Sequence, residues 1–159
     1  KRHQRERFQC GYPELDQYLS KRAGQDQKRK LAVTYVLAHK DSDQVVGYYT
    51  LSAYSVNVSS CPDNLKRRLP KYPSIPGVLI GRLAVDTCRK GCGWGETLLM
   101  NALSKSFKYS ESIGALAVFV HAKDDKAKGF YQNYGFHELQ DDLYHLFLPM
   151  KMIKKLLEP

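Results

Sequence analysis

The stretch from Gly81 to Glu96 constrains the fold of this chain more than any other. An apolar segment, residues 81–86, leads to a turn with the letters Lys-Gly-Cys-Gly-Trp-Gly, and an apolar-periodic helix follows at once. Glycines at alternate positions let the backbone approach a ligand closely and direct several N–H groups at one point. The helix adds its own N-terminal N–H groups and the positive end of its dipole. The sequence therefore predicts an anion-binding junction, although a plain glycine turn between strand and helix satisfies the same pattern.

The charge balance indicates a polyanionic partner. The chain has 25 Lys and Arg residues against 16 Asp and Glu, a formal net charge of +9 at pH 7. A phosphate-bearing cofactor accounts for part of this excess, and a nucleic acid would use the rest through steering and phosphate contacts. A merely basic surface is the alternative.

Length and composition fit one folded domain over residues 1–159. With 43% hydrophobic and 26% charged residues, the chain is typical of a soluble globular protein that buries a proper core. It has neither an apolar run near the ~20 residues that span a bilayer nor a signal-peptide pattern. We therefore expect a cytoplasmic protein without membrane contact. Because the chain begins at Lys1 and not at Met, we also expect residues to precede it.

The cysteines carry no metal or disulfide signature. The chain has four cysteines without a Cys-x-x-Cys pair, and no histidine completes a ligand set around the two that flank the glycine turn. We expect four reduced thiols and no metal site. They are Cys10, Cys61, Cys88 and Cys92.

The hydrophobic periodicity predicts one mixed α/β domain. An early helix begins at Pro13 and fades in the polar run of residues 24–30, and an antiparallel hairpin follows. The remainder reads as strand, helix, strand, helix and strand. The predicted strands are 31–38, 45–51 with a continuation through 54–58, 78–86, 115–120, 136–139 and 144–148; the later helices are 94–109, 124–134 and a short tail, 150–157.

A second motif stands near the C-terminus. The helix predicted from residue 124 ends in Phe130-Tyr131, and Tyr134-Gly135-Phe136 follows. Together with the Lys-Gly-Cys-Gly-Trp-Gly turn, this motif resembles the GNAT superfamily of acetyl-CoA-dependent N-acetyltransferases over almost the whole chain. The resemblance implies the single-domain GNAT fold, with a central mixed, mostly antiparallel sheet flanked by helices.

Further segments resemble one branch of that superfamily more closely. These are residues 8–11 (Phe-Gln-Cys-Gly), 15–19 (Leu-Asp-Gln-Tyr-Leu), 46–52 (Val-Gly-Tyr-Tyr-Thr-Leu-Ser) and 81–86 (Gly-Arg-Leu-Ala-Val-Asp). They are similar to the TacT/AtaT-type toxins of type II toxin–antitoxin systems, which acetylate the amino acid on charged tRNA. The resemblance implies an aminoacyl-tRNA substrate, a ribbon-helix-helix antitoxin as partner and a homodimer.

The same resemblance implies acetyl-CoA as the cofactor. Backbone groups of the strand end would take the pantetheine amides, at Leu83, Ala84 and Val85. The turn would take the pyrophosphate, at Lys90, Gly91, Cys92, Gly93, Trp94, Gly95 and Glu96. Lys90 stands where the family usually has Gln or Arg. It keeps the positive charge of arginine but lacks the planar guanidinium with its two parallel donors. Trp94 replaces a small aliphatic residue, and we expect it to pack into the core.

Tyr131 is the expected general acid, because the resemblance places the family's acid at this tyrosine. Tyr134 is its rival, and with eleven tyrosines in the chain a core-packing role is the alternative for either. No Asp or Glu stands out as a general base. An α-amino group titrates near ~8, so a share of it is already neutral at pH 7 and direct attack with water-mediated deprotonation suffices.

Basic residues are the candidates for tRNA contact. The run Lys66-Arg67-Arg68 is predicted to meet phosphates, with a solvated charge run as the alternative. Arg82 lies within an apolar strand, so its charge needs a partner. The candidate partners of the Arg82 charge are Asp86 and a phosphate or the 3′ end of the tRNA, and the resemblance favours the tRNA.

The histidines give weaker signals. His121 ends a predicted strand on the cofactor side, where a lone histidine is most often structural or solvated. His137 and His145 flank the last strands and are interpreted as surface residues.

Two other functions fit the sequence less well. One is a GNAT enzyme for a small amine, a polyamine, a protein N-terminus or a lysine, which a neutral or acidic groove would favour. The other is a non-enzymatic RNA- or antitoxin-binding module that has kept the fold.

Overall fold

Six strands and six α-helices, with three short 3-10 turns and one π-helical turn, make up the regular structure of residues 3–159, the part of the chain that the computed structural model describes. In chain order they are α1 Pro13–Gln17, α2 Ala23–Lys28, β1 Val33–Ala38, β2 Val45–Asn57, α3 Asp63–Lys66, β3 Ser74–Val85, α4 Trp94–Ser112, β4 Ala117–His121, α5 Asp125–Gln132, β5 His137–Glu138, β6 His145–Pro149 and α6 Met150–Leu157. None of the helices in residues 3–159 combines the length and apolarity needed to cross a bilayer.

The strands form one mixed sheet in the order β1-β2-β3-β4-β6-β5. Antiparallel pairing joins β1 to β2, β4 to β6 and β6 to β5. The predicted α/β fold with a mixed, mostly antiparallel sheet is confirmed.

The chain divides into two compact units, and each has its own hydrophobic core. Unit 1 is Lys1–Ser52 with Ile80–Ala102, of which the first two residues are not described; unit 2 is Ala53–Leu79 with Leu103–Pro159. The core of unit 1 is built from Phe8, Leu15, Tyr18, Leu19, Val45, Tyr48 and Ala84 among others. The core of unit 2 includes Val56, Ile75, Ala117, Phe119, Leu139 and Phe147.

The early helical region ends within the polar run, residues 24–30, where the sequence predicts that it fades. It passes from α1 through a π-helical turn, Tyr18–Arg22, and continues to Lys28. Within the polar run, the Asp26 carboxylate accepts a 2.9 Å hydrogen bond from the Tyr18 hydroxyl. This contact and the solvated outer face stabilise the last turns of the helical region.

The strand β3 begins earlier than predicted, at Ser74. Pro76 and Gly77 suggest a turn, yet both lie in the strand. A Cβ on Gly77 would overlap the ring of Phe119 and lie 2.7 Å from the Ala117 carbonyl oxygen. The glycine therefore permits a close approach between β3 and β4, which sequence alone cannot distinguish from a turn.

All four cysteines are free, as predicted. Cys88 and Cys92 are exposed, while Cys10 and Cys61 are buried. Burial, with the Asp16 side chain as a second cause, raises the pKa of the Cys10 thiol to about 11. The two buried thiols are therefore poor nucleophiles at neutral pH.

Candidate active site

The glycine turn lies in unit 1, between β3 and α4. Gly91 and Gly93 have φ angles of +79° and +83°, a region that favours glycine. A Cβ at either position would meet nothing within 4 Å, so the backbone here borders open space. The residues of the turn, Gly91, Cys92 and Gly93, are exposed.

The first turn of α4 supplies hydrogen-bond donors beside these glycines. The Thr97 N–H donates to the Gly93 carbonyl at 3.1 Å, while N–H groups earlier in the helix have no carbonyl one turn before them within α4. Their partial positive charge and the helix dipole suit an anion with several oxygens. Glu96, exposed in the same first turn, contributes its backbone N–H while its carboxylate is directed to solvent. The backbone of residues 91–96 fits a pyrophosphate group.

Lys90 adds a cation at the start of the turn. Its ammonium group donates a 2.8 Å hydrogen bond to the Cys10 carbonyl and lies 5.8 Å from the centre of the Tyr12 ring. The side chain thus ties the N-terminal segment to the turn and keeps a positive charge there. The contact with Cys10 could not be read from the sequence.

Asp86 organises the backbone that precedes the turn. One oxygen of this buried carboxylate accepts from the Gln9 N–H at 3.1 Å, and the other accepts from the Cys88 N–H at 2.9 Å. Its own N–H donates to the Val46 carbonyl at 2.8 Å. Sequence reasoning considered Asp86 only as a partner for Arg82, and it missed this role.

The end of β3 is closely packed against β2. Ala84 is buried, and Leu83 and Val85 are half-buried. A Cβ on Gly47 of β2 would lie 2.8 Å from the Ala84 carbonyl oxygen, so a glycine is needed at this approach. The segment proposed for the pantetheine amides is therefore a rigid strand end.

Trp94 does not pack into the core as the sequence suggested. It is 37% exposed, whereas Leu98, Leu99 and Leu103 of the same helix are fully or almost fully buried. As the first residue of α4 it lies next to the exposed turn, before the helix reaches the core. Its exposed ring remains next to the predicted pyrophosphate site.

Tyr131 lies in unit 2, near the end of α5, and is buried. Its ring makes edge contacts with Phe130 and Phe136, at centroid distances of 5.2 and 5.4 Å. Burial raises the pKa of the Tyr131 hydroxyl well above 10, so the group keeps its proton at neutral pH. A general acid must be protonated before the reaction, and Tyr131 meets that requirement.

The predicted tRNA-contacting run forms α3 and the turn after it, in unit 2. Lys66 is half-buried and forms a 3.8 Å ion pair with Asp63, and the Arg67 Nε donates to the Asp63 carbonyl at 3.4 Å. Arg67 and Arg68 are exposed. The two arginines are therefore the members of the run whose charges are available to a ligand.

Arg82 lies in unit 1 and stacks on an aromatic ring. Its guanidinium carbon is 3.5 Å from the centre of the Tyr18 ring, and the hydroxyl of Tyr18 donates to Asp26. A cation–π contact of this kind satisfies a half-buried arginine. The cation can still meet a ligand on its other face, because the contact occupies only one face of the planar group.

The histidines of unit 2 differ from the sequence interpretation. His121 is not alone, since the Tyr54 hydroxyl is 3.0 Å from its Nε2 and 3.1 Å from the Nε2 of His145. His145 is buried and not a surface residue, whereas His137 is exposed as predicted. The antiparallel pairing of β4 with β6 places His121 opposite His145, so knowledge of that pairing would have revealed the cluster. Within residues 3–159, no three His, Cys, Asp or Glu side chains come together as a metal ion would need.

Comparison with known proteins identifies the family. A model described as an acetyltransferase (GNAT) domain matches residues 11–154. The chain belongs to the GNAT acetyltransferase family. This acetyltransferase is 35% identical over 150 residues to a tRNA-acetylating toxin of Mycobacterium tuberculosis (strain ATCC 25618 / H37Rv), an alignment that covers 94% of this chain and 88% of the relative.

Solved structures extend the comparison. The acetyltransferase matches AtaT complexed with acetyl-methionyl-tRNAfMet with a TM-score of 0.91 and 32% identity, covering 99% of this chain and 94% of AtaT. It also matches a tyrosine-to-phenylalanine variant of AtaT bound to the C-terminus of the antitoxin AtaR and acetyl-CoA. There the TM-score is 0.82 and the identity 29%, with 99% and 92% of the two chains covered. The protein is thus an acetyl-CoA-dependent acetyltransferase of the toxin branch.

Proposed function

We propose that this acetyltransferase transfers the acetyl group of acetyl-CoA to the α-amino group of an aminoacyl-tRNA and so blocks translation. The observation that carries the proposal is the match to AtaT with its acetylated aminoacyl-tRNA, which spans 99% of this chain at a TM-score of 0.91. The net charge of +9 supports a nucleic-acid substrate over a small amine. An acetylated α-amine cannot attack the peptidyl ester, so the product would stop elongation, and the protein would act in the cytoplasm.

The backbone of unit 1 supports acetyl-CoA binding. The N–H groups of residues 91–96 would hold the pyrophosphate, with Lys90 as a nearby cation, and Leu83–Val85 would meet the pantetheine amides. Acetyl-CoA supplies the acetyl group as a thioester. These residues need not move a proton, because their role is to hold and orient the cofactor.

Tyr131 is proposed as the general acid. Its hydroxyl would donate a proton to the departing thiolate as the new N–C bond forms and the C–S bond breaks. The raised pKa of the buried Tyr131 supports this role only in that the hydroxyl still carries its proton at neutral pH when the thiolate departs. Tyr134 is half-buried and contacts Phe130 edge-on at 5.4 Å, which favours a packing role for it.

Exposed cations would position the tRNA. Arg67 and Arg68 are proposed to meet the sugar-phosphate backbone, and Lys66 to assist them from its ion pair with Asp63. Arg82, held over Tyr18, is proposed to meet a phosphate or the 3′ end.

The decisive experiment supplies labelled acetyl-CoA with several acceptors in parallel. We expect label on charged tRNA and none on the same tRNA after mild deacylation, because only the charged form carries the α-amine. Label on free amino acids, polyamines or protein lysines with none on charged tRNA would replace the proposal with a small-amine or protein acetyltransferase. If calorimetry detected no acetyl-CoA binding, the result would instead support a non-enzymatic RNA- or antitoxin-binding module.

Two partners follow from the same proposal. We expect a ribbon-helix-helix antitoxin to bind and neutralise the enzyme, and we expect the enzyme to be a homodimer. Purification with a neighbouring antitoxin gene co-expressed tests the first point. Light scattering of the free enzyme tests the second, and a monomer mass would exclude the dimer.

A further inference from the structure

Four polar side chains of unit 2 form a continuous hydrogen-bonded chain, which we name the histidine–tyrosine relay. In order they are His121, Tyr54, His145 and Asp141. The Tyr54 hydroxyl lies 3.0 Å from the His121 Nε2 and 3.1 Å from the His145 Nε2, and the His145 Nδ1 lies 3.0 Å from an oxygen of Asp141. The hydrogen bonds of the chain offset the desolvation cost of burying its polar groups.

The relay is held rigidly by the sheet. His121 and His145 are opposite each other in the β4–β6 pairing, and their rings stack at 4.2 Å with an interplanar angle of 12°. The rings of Tyr54 and His145 both pack against Phe119, at centroid distances of 5.4 and 6.1 Å. His145 is 4% exposed, whereas His121 is exposed at one end and Asp141 at the other. The relay therefore joins two solvent-facing ends through a buried middle.

Asp141 determines the direction of the hydrogen bonds. A carboxylate only accepts, so in the single-proton form of His145 the Nδ1–H donates to Asp141 and the Nε2 is the acceptor. The Tyr54 hydroxyl then donates to the His145 Nε2 and accepts from the His121 Nε2–H. The Nδ1 of His121 is consequently left with a lone pair, ready to accept a proton.

Adding a proton to that lone pair reverses the donor direction of the hydrogen bonds between His121, Tyr54 and His145, one proton transfer at a time. The proton binds to the His121 Nδ1, the His121 Nε2–H passes to the Tyr54 oxygen, and the Tyr54 O–H passes to the His145 Nε2. The final state has neutral His121, neutral Tyr54 and a His145 imidazolium beside the Asp141 carboxylate. That ion pair stabilises the transferred charge, and Asp141, with a side chain 43% exposed, opens to solvent.

We propose that this relay receives the proton that the acceptor amine loses during acetyl transfer. The inference rests on the proposed function: in that reaction the attacking α-amine of the aminoacyl-tRNA must lose one proton as the N–C bond forms. His121 is the last residue of β4, and the next helix of unit 2, α5, carries Tyr131. The two proton-handling groups thus follow each other in one unit: Tyr131 gives a proton to sulfur, and His121 takes one from nitrogen.

The surroundings of His121 suit a proton acceptor. Tyr54 on β2, His145 on β6 and the carboxylates of Asp141 and Asp142 before β6 face it. Burial and the neighbouring His145 lower the pKa of His121 more than the two carboxylates raise it. His121 is therefore neutral at pH 7, and it becomes charged, and unable to accept, only as the pH falls below its ordinary titration range.

The test combines two single variants and their double variant in the charged-tRNA assay. Tyr54→Phe cuts the chain while keeping the ring on Phe119, and His121→Gln removes the accepting nitrogen. We expect each to lower kcat by about tenfold or more, and the double variant to be no slower than the worse single variant, because the steps are in series. The relay would be overturned if the two losses of kcat multiplied in the double variant, or if the Tyr54→Phe enzyme were as fast as the wild type.

Tyr144→Phe is the matched control. It removes a hydroxyl that donates to Asp125 at 2.8 Å in the same unit, outside the relay, and its kcat is expected to stay within twofold of wild type. A loss equal to that of Tyr54→Phe would overturn the proposal, because general disturbance of unit 2 would then explain both. Melting temperatures of all variants identify any that fail to fold.

Nitrogen-15 NMR of the histidine rings gives a readout that does not depend on activity. We expect the proton on Nδ1 in His145 and on Nε2 in His121 at pH 7.5. The opposite tautomers would overturn the relay even in an active enzyme. A wild type that leaves charged tRNA unlabelled would instead overturn the proposed function, so the two failures are distinguishable.

Discussion

The Lys90 ammonium and the Cys10 carbonyl, separated by 80 residues in sequence, are joined by a hydrogen bond of 2.8 Å. This contact holds the N-terminal segment against the proposed pyrophosphate turn. In the proposed role a lysine would serve where the family has Gln or Arg, since its ammonium has one fixed partner and two further donors for a ligand.

Lys90→Met should weaken acetyl-CoA binding several-fold and lower the free energy of unfolding by about 1 kcal/mol, because both a cation and a charged hydrogen bond are lost. Calorimetric titration with acetyl-CoA and chemical denaturation measure the two effects. Lys90→Arg, which restores the usual residue type, is the control and should bind at least as well as wild type. Unchanged affinity in Lys90→Met would show that the ammonium serves only the fold.

Tyr131→Phe should lower kcat for charged-tRNA acetylation by about 10²- to 10⁴-fold while changing the acetyl-CoA affinity little, because only the proton donor is removed. Tyr134→Phe is the control on the same chain segment and should keep most of the activity. Single-turnover rates with labelled acetyl-CoA separate the chemical step from binding. If Tyr134→Phe were the inactive variant, the assignment would pass to Tyr134.

Gly93→Ala should cost about 1–2 kcal/mol of stability, because alanine is strained at a φ of +83° even though its Cβ meets open space. The distorted turn should also raise the KM for acetyl-CoA. Gly114→Ala is the matched control, because its Cβ likewise meets nothing within 4 Å. Equal KM values for the two variants would argue against a ligand at the turn.

Arg67→Gln together with Arg68→Gln should weaken tRNA binding and lower the slope of log affinity against log salt by up to about two, because two phosphate contacts are lost. Filter-binding titrations from 50 to 200 mM salt, an interval over which phosphate contacts are strongly screened, give the slope. A double substitution of the exposed Lys154 and Lys155 of α6 controls for net charge. An equal change of slope in both variants would indicate nonspecific attraction only.

The sequence predicts the parts of this protein that depend on local order. The glycine turn, the helix that follows it and the Phe130-Tyr131 helix all carry their signals within short windows, and each lies in an element close to its predicted bounds. Family resemblance then gave roles to the residues in them. The prediction that Trp94 packs into the core is wrong, because periodicity assigns a helical face but cannot show that the first turn of a helix lies outside the core.

The remaining features depend on contacts between distant residues. Tyr54 meets its two histidines across 67 and 91 residues, and Asp86 meets Gln9 across 77. No local pattern reports such pairs, since strand pairing and packing bring them together. The π-helical turn at Tyr18–Arg22 belongs to the same class, because it positions Tyr18 between Arg82 and Asp26.

Gly47 carries a consequence for the genetics of this protein. The packing around Gly47 leaves no room for a side chain, since a Cβ would lie 2.7 Å from the Leu98 Cδ1 and 2.8 Å from the Ala84 carbonyl oxygen. Cells that survive expression of a toxin without its antitoxin do so by inactivating the toxin. Every missense change of the Gly47 codon forces β2, β3 and α4 to repack. Substitutions of Gly47 would therefore be found among spontaneous survivors, although Gly47 takes no part in the chemistry.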